Sequence, residues 1–297
     1  MPVWIPITFA AAFLQNLRSL LQKKLRAELS VWGATSARFI FAAPFAVLAA
    51  LIVWQASGTG VTPPGGHFFL MMAIGGLAQI VATGCMIHLF SHRNFAVGTA
   101  FTKTEVLQTA LFSLVLLGEG ISLSALLAIV AGLVGILLIS LPTEAGRSRF
   151  ALDGRIVYGL ISGGLYGLSA VCFRGASLSL GDGPALVRAS LTLAAVLVFQ
   201  ALVIAAWLKL REAGELTRIF AAWRVTVLVG LVGMTASLGW FTAMTLENAA
   251  HVRAVGQVEI IFTIATSWFV FKETINAREF AGLTVLTGSI LALVLMA

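Results

Sequence analysis

Residues 94–119 read NFAVGTAFTKTEVLQTALFSLVLLGE, and residues 248–273 read NAAHVRAVGQVEIIFTIATSWFVFKE. Asn94, Glu105 and Glu119 of the first stretch recur as Asn248, Glu259 and Glu273 of the second, each 154 positions on. That offset is about half of the 297-residue chain. One shared spacing for three polar residues in apolar surroundings marks a duplicated unit. It also places one carboxylate in the middle of an apolar segment in each copy.

Outward from these stretches the chain stays apolar. Hydrophobic residues make up 59%, charged residues 10%, and mean hydropathy is +1.00. A soluble domain carries about 25% charged residues, and burial in a bilayer accounts for the deficit. Runs near the ~20 residues that cross a bilayer fall at about 4–22, 33–54, 67–90, 96–117, 122–141, 154–173, 184–208, 222–246, 250–270 and 277–296, ten spans in all. The 29 glycines suit close helix packing in lipid. Met1–Leu21 reads as the first span and not as a signal peptide, because its basic residues follow the apolar run. Cys85 and Cys172 lie within spans and form no disulfide framework.

The net charge of +7 is a topology signal and not a nucleic-acid surface. Lys23, Lys24, Arg26, Arg93, Arg147, Arg149, Arg155, Lys209, Arg211, Arg218, Arg224, Lys272 and Arg278 follow odd-numbered spans, 13 residues against two, Arg174 and Arg253, on the other side. The positive-inside rule then predicts cytoplasmic odd-numbered loops and both termini outside.

Five spans per copy is an odd number, so the copies must run in opposite senses. The expected fold is all-α and integral to the membrane, with ten transmembrane helices arranged as two inverted five-helix repeats. Such designs hold substrate near the midplane, where the repeats meet. The expected boundaries are 1–141 for the first repeat, 142–153 for a linker and 154–297 for the second. At an offset of 150, Lys24 pairs with Arg174 and Arg38 with Arg188. The segments Gly33–Trp54 and Gly183–Trp207 look like the same second span. The loop Gln55–His67 is rich in glycine and proline and reads as an exposed turn. Its charged counterpart, Lys209–Arg224, reads as a short surface helix.

Leu117-Gly118-Glu119 closes the fourth span and Phe271-Lys272-Glu273 the ninth, each before a glycine-bearing last span (Gly132 and Gly135; Gly282 and Gly288). With the five-span duplication, this pattern resembles the EamA-type branch of the drug/metabolite transporter superfamily over nearly the whole chain. The resemblance implies a ten-helix fold that exports or imports small metabolites such as amino acids. Many members place their termini in the cytoplasm and carry a basic second loop. Here that loop has no Lys or Arg, and the charge count favours the reversed orientation.

Glu105 lies about nine residues into its span, about 14 Å deep at 1.5 Å per residue, and Glu259 sits at the same depth in its own. A charge at that depth costs ~2.5–3.5 kcal/mol or more, so such residues face an interior or a wet cavity. Two readings stand: a role in binding substrate or protons, or an interhelical bond that locks the repeats. Lys103 points about 200° away from Glu105 on a helix, and Gln257 replaces it in the second copy. Lys103 either contacts an anionic group or pairs with a buried acid, Glu259 being the obvious one. Gln108 lies nearer Glu105. Asn16, Gln79, Tyr166 and Trp240 are polar or amphipathic groups within other spans and complete the candidate substrate-binding set.

The outer members of the triplet read as structural. Glu119 and Glu273 suit helix termini, and Asn94 and Asn248 suit N-caps. Arg38 and Arg188 lie about a turn inside their spans and either snorkel or contact substrate. His251 and Arg253 form an entrance or anchor the interface. Cys85, His88 and His92 share a helical face at metal-ligand spacing, but the end of a span is an ordinary place for histidine, and no metal or cofactor is expected.

The chain has no G-x-x-x-x-G-K-[ST], so ATP does not drive it directly, and no H-E-x-x-H or G-x-S-x-G. The expectation is a secondary transporter, multi-pass in the cell (inner) membrane, moving an amino acid or related amphipathic solute outward, in the sense of efflux, by alternating access. Its expected partners are the small-molecule substrate, the lipid bilayer and protons as coupling ion, with the chain a monomer or homodimer. A multi-pass membrane enzyme and a non-transporting membrane sensor are the competing classes.

Overall fold

The computed structural model describes residues 1–25, 29–90, 101–140, 154–262, 265 and 277–296. All regular structure among these residues is helical: α1 Trp4–Leu25, α2 Val31–Ser57, α3 Gly66–Phe90, α4 Glu105–Leu117, α5 Leu123–Ser140, α6 Gly154–Leu178, α7 Ala185–Arg211, α8 Glu215–Ala221, α9 Trp223–Leu246, α10 Ala249–Val255 and α11 Ala277–Met296. Six of them (α2, α3, α6, α7, α9 and α11) are long and apolar enough to cross a membrane, and α4 and α5 are shorter apolar helices. The chain is a multi-pass membrane protein. With 22 residues α1 has the length, but Gln15, Asn16 and Arg18 set it apart from the six.

Packing follows the duplication. Copy for copy, α6 repeats α1, α7 repeats α2, α9 repeats α3 and α11 repeats α5. The main helix pairs are α3 on α6, α1 on α9, α2 on α7 and α5 on α11. Exchanging the copies turns the first pair into the second and leaves each of the last two as it was. Phe39, Phe173, Ile5, Leu193 and Met244 fill the shared core, fully buried. The α5–α11 pair crosses glycine to glycine: a Cβ on Gly135 would sit 2.7 Å from the Gly282 carbonyl oxygen, and one on Gly282 2.6 Å from that of Gly135. Without the shared side chains, dispersion between backbones replaces a hydrophobic drive that lipid does not supply. Gly288, in the same span, has no heavy atom within 4 Å of its Cβ direction and plays no such part.

Two expected spans differ from continuous helices. In the first copy, Lys103 and Thr104 form a turn before α4; in the second, Gly256 and Gln257 form one after α10. The hydrogen bonds there tighten to i→i+3: Thr104 N–H donates to Phe101 O (3.2 Å), Gln257 N–H to Ala254 O (3.1 Å) and Glu259 N–H to Gly256 O (3.1 Å). Short 3₁₀ stretches inside helices mark hinges. Lys103 and Gln257 are equivalent under the 154-residue offset, so both copies bend at one place, two residues before Glu105 and Glu259.

The remaining ends have local causes. Gly118 closes α4 with φ 69°, the left-handed cap that glycine adopts at least cost. Asn248 caps α10, its side chain accepting from Ala250 N–H at 2.8 Å. α6 runs to Leu178, past the expected end near 173, and Arg174 near its end is held by protein groups. The charged stretch after α7 contains the short helix α8. Its buried Glu215 accepts from Ser30 N–H at 2.6 Å, and Ser30 Oγ donates to Glu212 at 2.6 Å, which ties α8 to the start of α2. Asn94, Glu273 and His92 lie outside the described residues.

Candidate functional site

The two bends bring four charges together across the halves. Lys103 of the first half forms an ion pair with Glu259 of the second, their side chains 19% and 22% exposed. Arg253 of the second half faces Glu105 of the first, Nε to Oε1 at 3.2 Å. That pair has charge proximity without hydrogen-bond alignment, since among the described residues neither of these two atoms has a hydrogen-bond partner. Each carboxylate therefore meets a cation from the opposite copy. Glu105 also opens α4, where the N-terminal dipole favours an anion.

Around Glu259 the shell is specific. Gln15 on α1 donates to Glu259 Oε2 at 2.7 Å and accepts from Trp240 Nε1 at 3.0 Å. The Arg253 guanidinium lies over the Trp240 ring, 5.1 Å from its centroid, a cation–π arrangement. Gly256 makes room for that ring: a Cβ there would stand 2.3 Å from Trp240. Gln257 is buried and donates to Arg253 O at 3.3 Å, while its Oε1 has no partner among the described residues.

The other sequence candidates divide. Tyr166 on α6 shares a hydrogen bond with Thr83 at 3.0 Å and lies within electrostatic reach of Arg18, Arg38 and Glu105, at the cluster's edge. Gln79 instead accepts from Gln200 Nε2 at 2.8 Å in the α3–α7 contact. Gln108 donates to Thr104 Oγ1 at 2.8 Å and to Leu160 O at 3.4 Å, so it fastens the start of α4 to α6. Asn16 is partly buried on α1. Its neighbour Gln15, which sequence reading passed over, makes the bridge to Glu259. Arg18 was also passed over; its signal was a lone charge within the first apolar run, three residues after Gln15.

A second polar cluster lies at the far ends of α6 and α9. The Arg174 guanidinium donates to both Glu119 oxygens at 2.8–3.0 Å and to the Met244 and Glu247 carbonyls, the latter at 2.6 Å. Asn248 Nδ2 reaches Glu119 at 3.4 Å, and His251 Nδ1 lies 3.1 Å from Glu247. Glu119 thus does more than cap a helix: it joins the α4–α5 turn to the α9–α10 turn. Arg188 donates to Gly181 O at 2.7 Å and holds the α6–α7 turn. His88 packs against Tyr158, the ring centroids 4.7 Å apart and the planes tilted by 54°.

Duplicated apolar helices that enclose charges shared between the copies define the class, a membrane protein with an internal polar site. The profile of the EamA-like transporter family matches twice, over residues 2–141 and 155–295, and the chain belongs to that family. Its members are membrane transporters of small solutes. A solved structure titled "Crystal structure of protein" is similar over 99% of this chain and 97% of its own, with a TM-score of 0.71 and 14% identity, a likeness of fold. No curated protein matches.

Proposed function

We propose that the chain is a secondary transporter that moves a small amphipathic metabolite, an amino acid or related solute, outward across the inner membrane by alternating access. In this reading residues 1–141 and 154–297 are inverted five-helix halves of a ten-span protein with both termini outside. The observation that carries it is the crossed pairing, Lys103 with Glu259 and Arg253 with Glu105, at matched bends in the two halves. Charges this deep in a bilayer protein are costly and mark pathways or proton relays, and discontinuous helices at a repeat interface are where transporters place their sites.

The chemistry follows from the pairing. A proton placed on Glu259 removes its attraction for Lys103, and a solute carrying charge competes for either partner. Both events loosen one link between the halves while the 3₁₀ turns supply the place to bend. Glu105, Glu259 and Lys103 carry this role, with Gln257, Trp240 and Tyr166 as flanking groups. Gln15 orients Glu259. The test is uptake and counterflow of labelled solutes in proteoliposomes. Glu105→Gln and Glu259→Gln should abolish solute movement per folded molecule; unchanged rates in both would remove the proposal.

A further inference from the structure

Arg18 and Arg38 are not accounted for by the crossed pairs. Arg18 is 8% exposed, and its Nε has no hydrogen-bond partner among the described residues. Its stem is pressed on α9 at Gly233, where a Cβ would stand 3.0 Å from Arg18 Cδ and 3.9 Å from Arg38 Cγ. Two arginines from α1 and α2 therefore flank one glycine. Arg18 lies within electrostatic reach of Arg38, Tyr166 and Glu259, and Arg38 within reach of Tyr166 and Arg253. The face of Phe39, 5.0 Å from the Arg38 guanidinium, offsets part of one charge.

The charge count is unbalanced. Among the described residues the cluster holds Arg18, Arg38, Lys103 and Arg253 against Glu105 and Glu259. Glu259 is already engaged by Lys103 and Gln15, and Glu105 faces Arg253. A buried cation needs a partner that meets it with hydrogen bonds as well as charge. The guanidinium fork matches the oxygens of a carboxylate or phosphate.

Building on the transporter reading of the same site, we infer that Arg18 and Arg38 bind the acidic group of the substrate, a small solute with net negative charge that carries a carboxylate or phosphate. The crossed pairs then form the moving part, and the two arginines set the sign of the cargo.

Thermal melts of the purified full-length protein in neutral detergent at fixed ionic strength test this, with succinate, inorganic phosphate, leucine and putrescine as probes. Succinate or phosphate should raise Tm by several degrees in a saturable way, and leucine and putrescine should not. Arg18→Gln and Arg38→Gln, each checked for monodispersity, should lose the shift, and Arg18→Lys should keep part of it. Without probe, Arg18→Gln should melt no lower than wild type, because it removes a buried guanidinium whose Nε has no hydrogen-bond partner among the described residues. An equal shift with leucine or putrescine, an anion shift undiminished in both Gln variants, or no shift with either anion would overturn the inference. A shift given by phosphatidylglycerol and not by the soluble anions would assign the arginines to a lipid headgroup and overturn it as well. Proteoliposome uptake separates the two claims. Glu259-dependent movement of leucine or putrescine, indifferent to Arg18→Gln, would leave transport standing and overturn the anion site. Arg18-dependent anion binding with no movement of any probe would remove transport and leave the site.

Discussion

Lys103 and Gln257 occupy equivalent positions of the two copies, yet only Lys103 carries a charge, and it spends that charge on Glu259 in the other copy. The return contact does not come from Gln257. It comes from Arg253, four residues earlier, which faces Glu105. The duplication therefore preserves the two carboxylates and supplies their cations from two different registers. A strictly symmetric protein would have no reason to prefer one conformation or one face of its cargo. This one has a built-in difference at its centre.

That difference has an energetic consequence. Lys103 and Glu259 are each about a fifth exposed, so losing one leaves a partly desolvated charge on the other. Lys103→Gln or Glu259→Gln should lower stability by about 1–3 kcal/mol, below the cost of breaking a fully buried pair. The double variant should cost less than the sum of the two singles, which melts of all three proteins will show.

The Arg174 clamp should be the more sensitive to geometry. Its guanidinium serves two carboxylate oxygens and two carbonyls at once, which an ammonium does not reproduce. Arg174→Lys is expected to lower stability by about 2–3 kcal/mol, nearly as much as Arg174→Gln. A Lys variant that melts with wild type would show that only the charge matters.

Glycines of the last spans should divide by their surroundings. Gly135→Ala and Gly282→Ala place a Cβ within 2.7 Å of the facing backbone and should cost about 1–3 kcal/mol through overpacking. Gly288→Ala meets open space and should be neutral or slightly stabilising, since alanine is the better helix former. Equal melting of the three variants would contradict the close α5–α11 crossing.

Acid should act on the α9–α10 turn. The hydrogen bond with His251 holds the Glu247 carboxyl below its usual range, against the opposing effect of burial. A group whose folded pKa lies below its unfolded value stabilises above the unfolded value, and that contribution is lost as pH falls through the folded pKa. The Tm of wild type should therefore fall below about pH 4.3, the ordinary glutamate value, more steeply than that of Glu247→Gln. Superimposed acid limbs for the two proteins would remove Glu247 from the account.

Much of the fold was legible because lipid imposes simple rules. Missing charge and apolar runs located the six long apolar helices and the two shorter ones among the described residues, and the repeated Asn–Glu–Glu spacing located the duplication and the two carboxylates. The bends at Lys103–Thr104 and Gly256–Gln257 were not legible, because Lys103 and Gln257 read as cavity groups on a continuous helix, and a 3₁₀ turn has no hydropathy signal of its own. Gln15 was passed over in favour of Asn16 because a helix that is apolar on most sides does not reveal which side faces inward. Gln79 and Gln108 looked like cavity groups, but their partners, Gln200 and the Leu160 carbonyl, become visible only once helices are placed side by side. Arg174 read as a topology charge because Glu119, its partner, is 55 residues away in sequence.

The central claim is that solute passes by way of the crossed carboxylates. Its most direct measure is counterflow of labelled solute in proteoliposomes holding equal amounts of monodisperse wild type, Glu259→Gln and Glu259→Asp. Glu259→Gln should fall to the level of empty liposomes, and Glu259→Asp should retain measurable exchange. Exchange by Glu259→Gln at the wild-type rate would contradict the account.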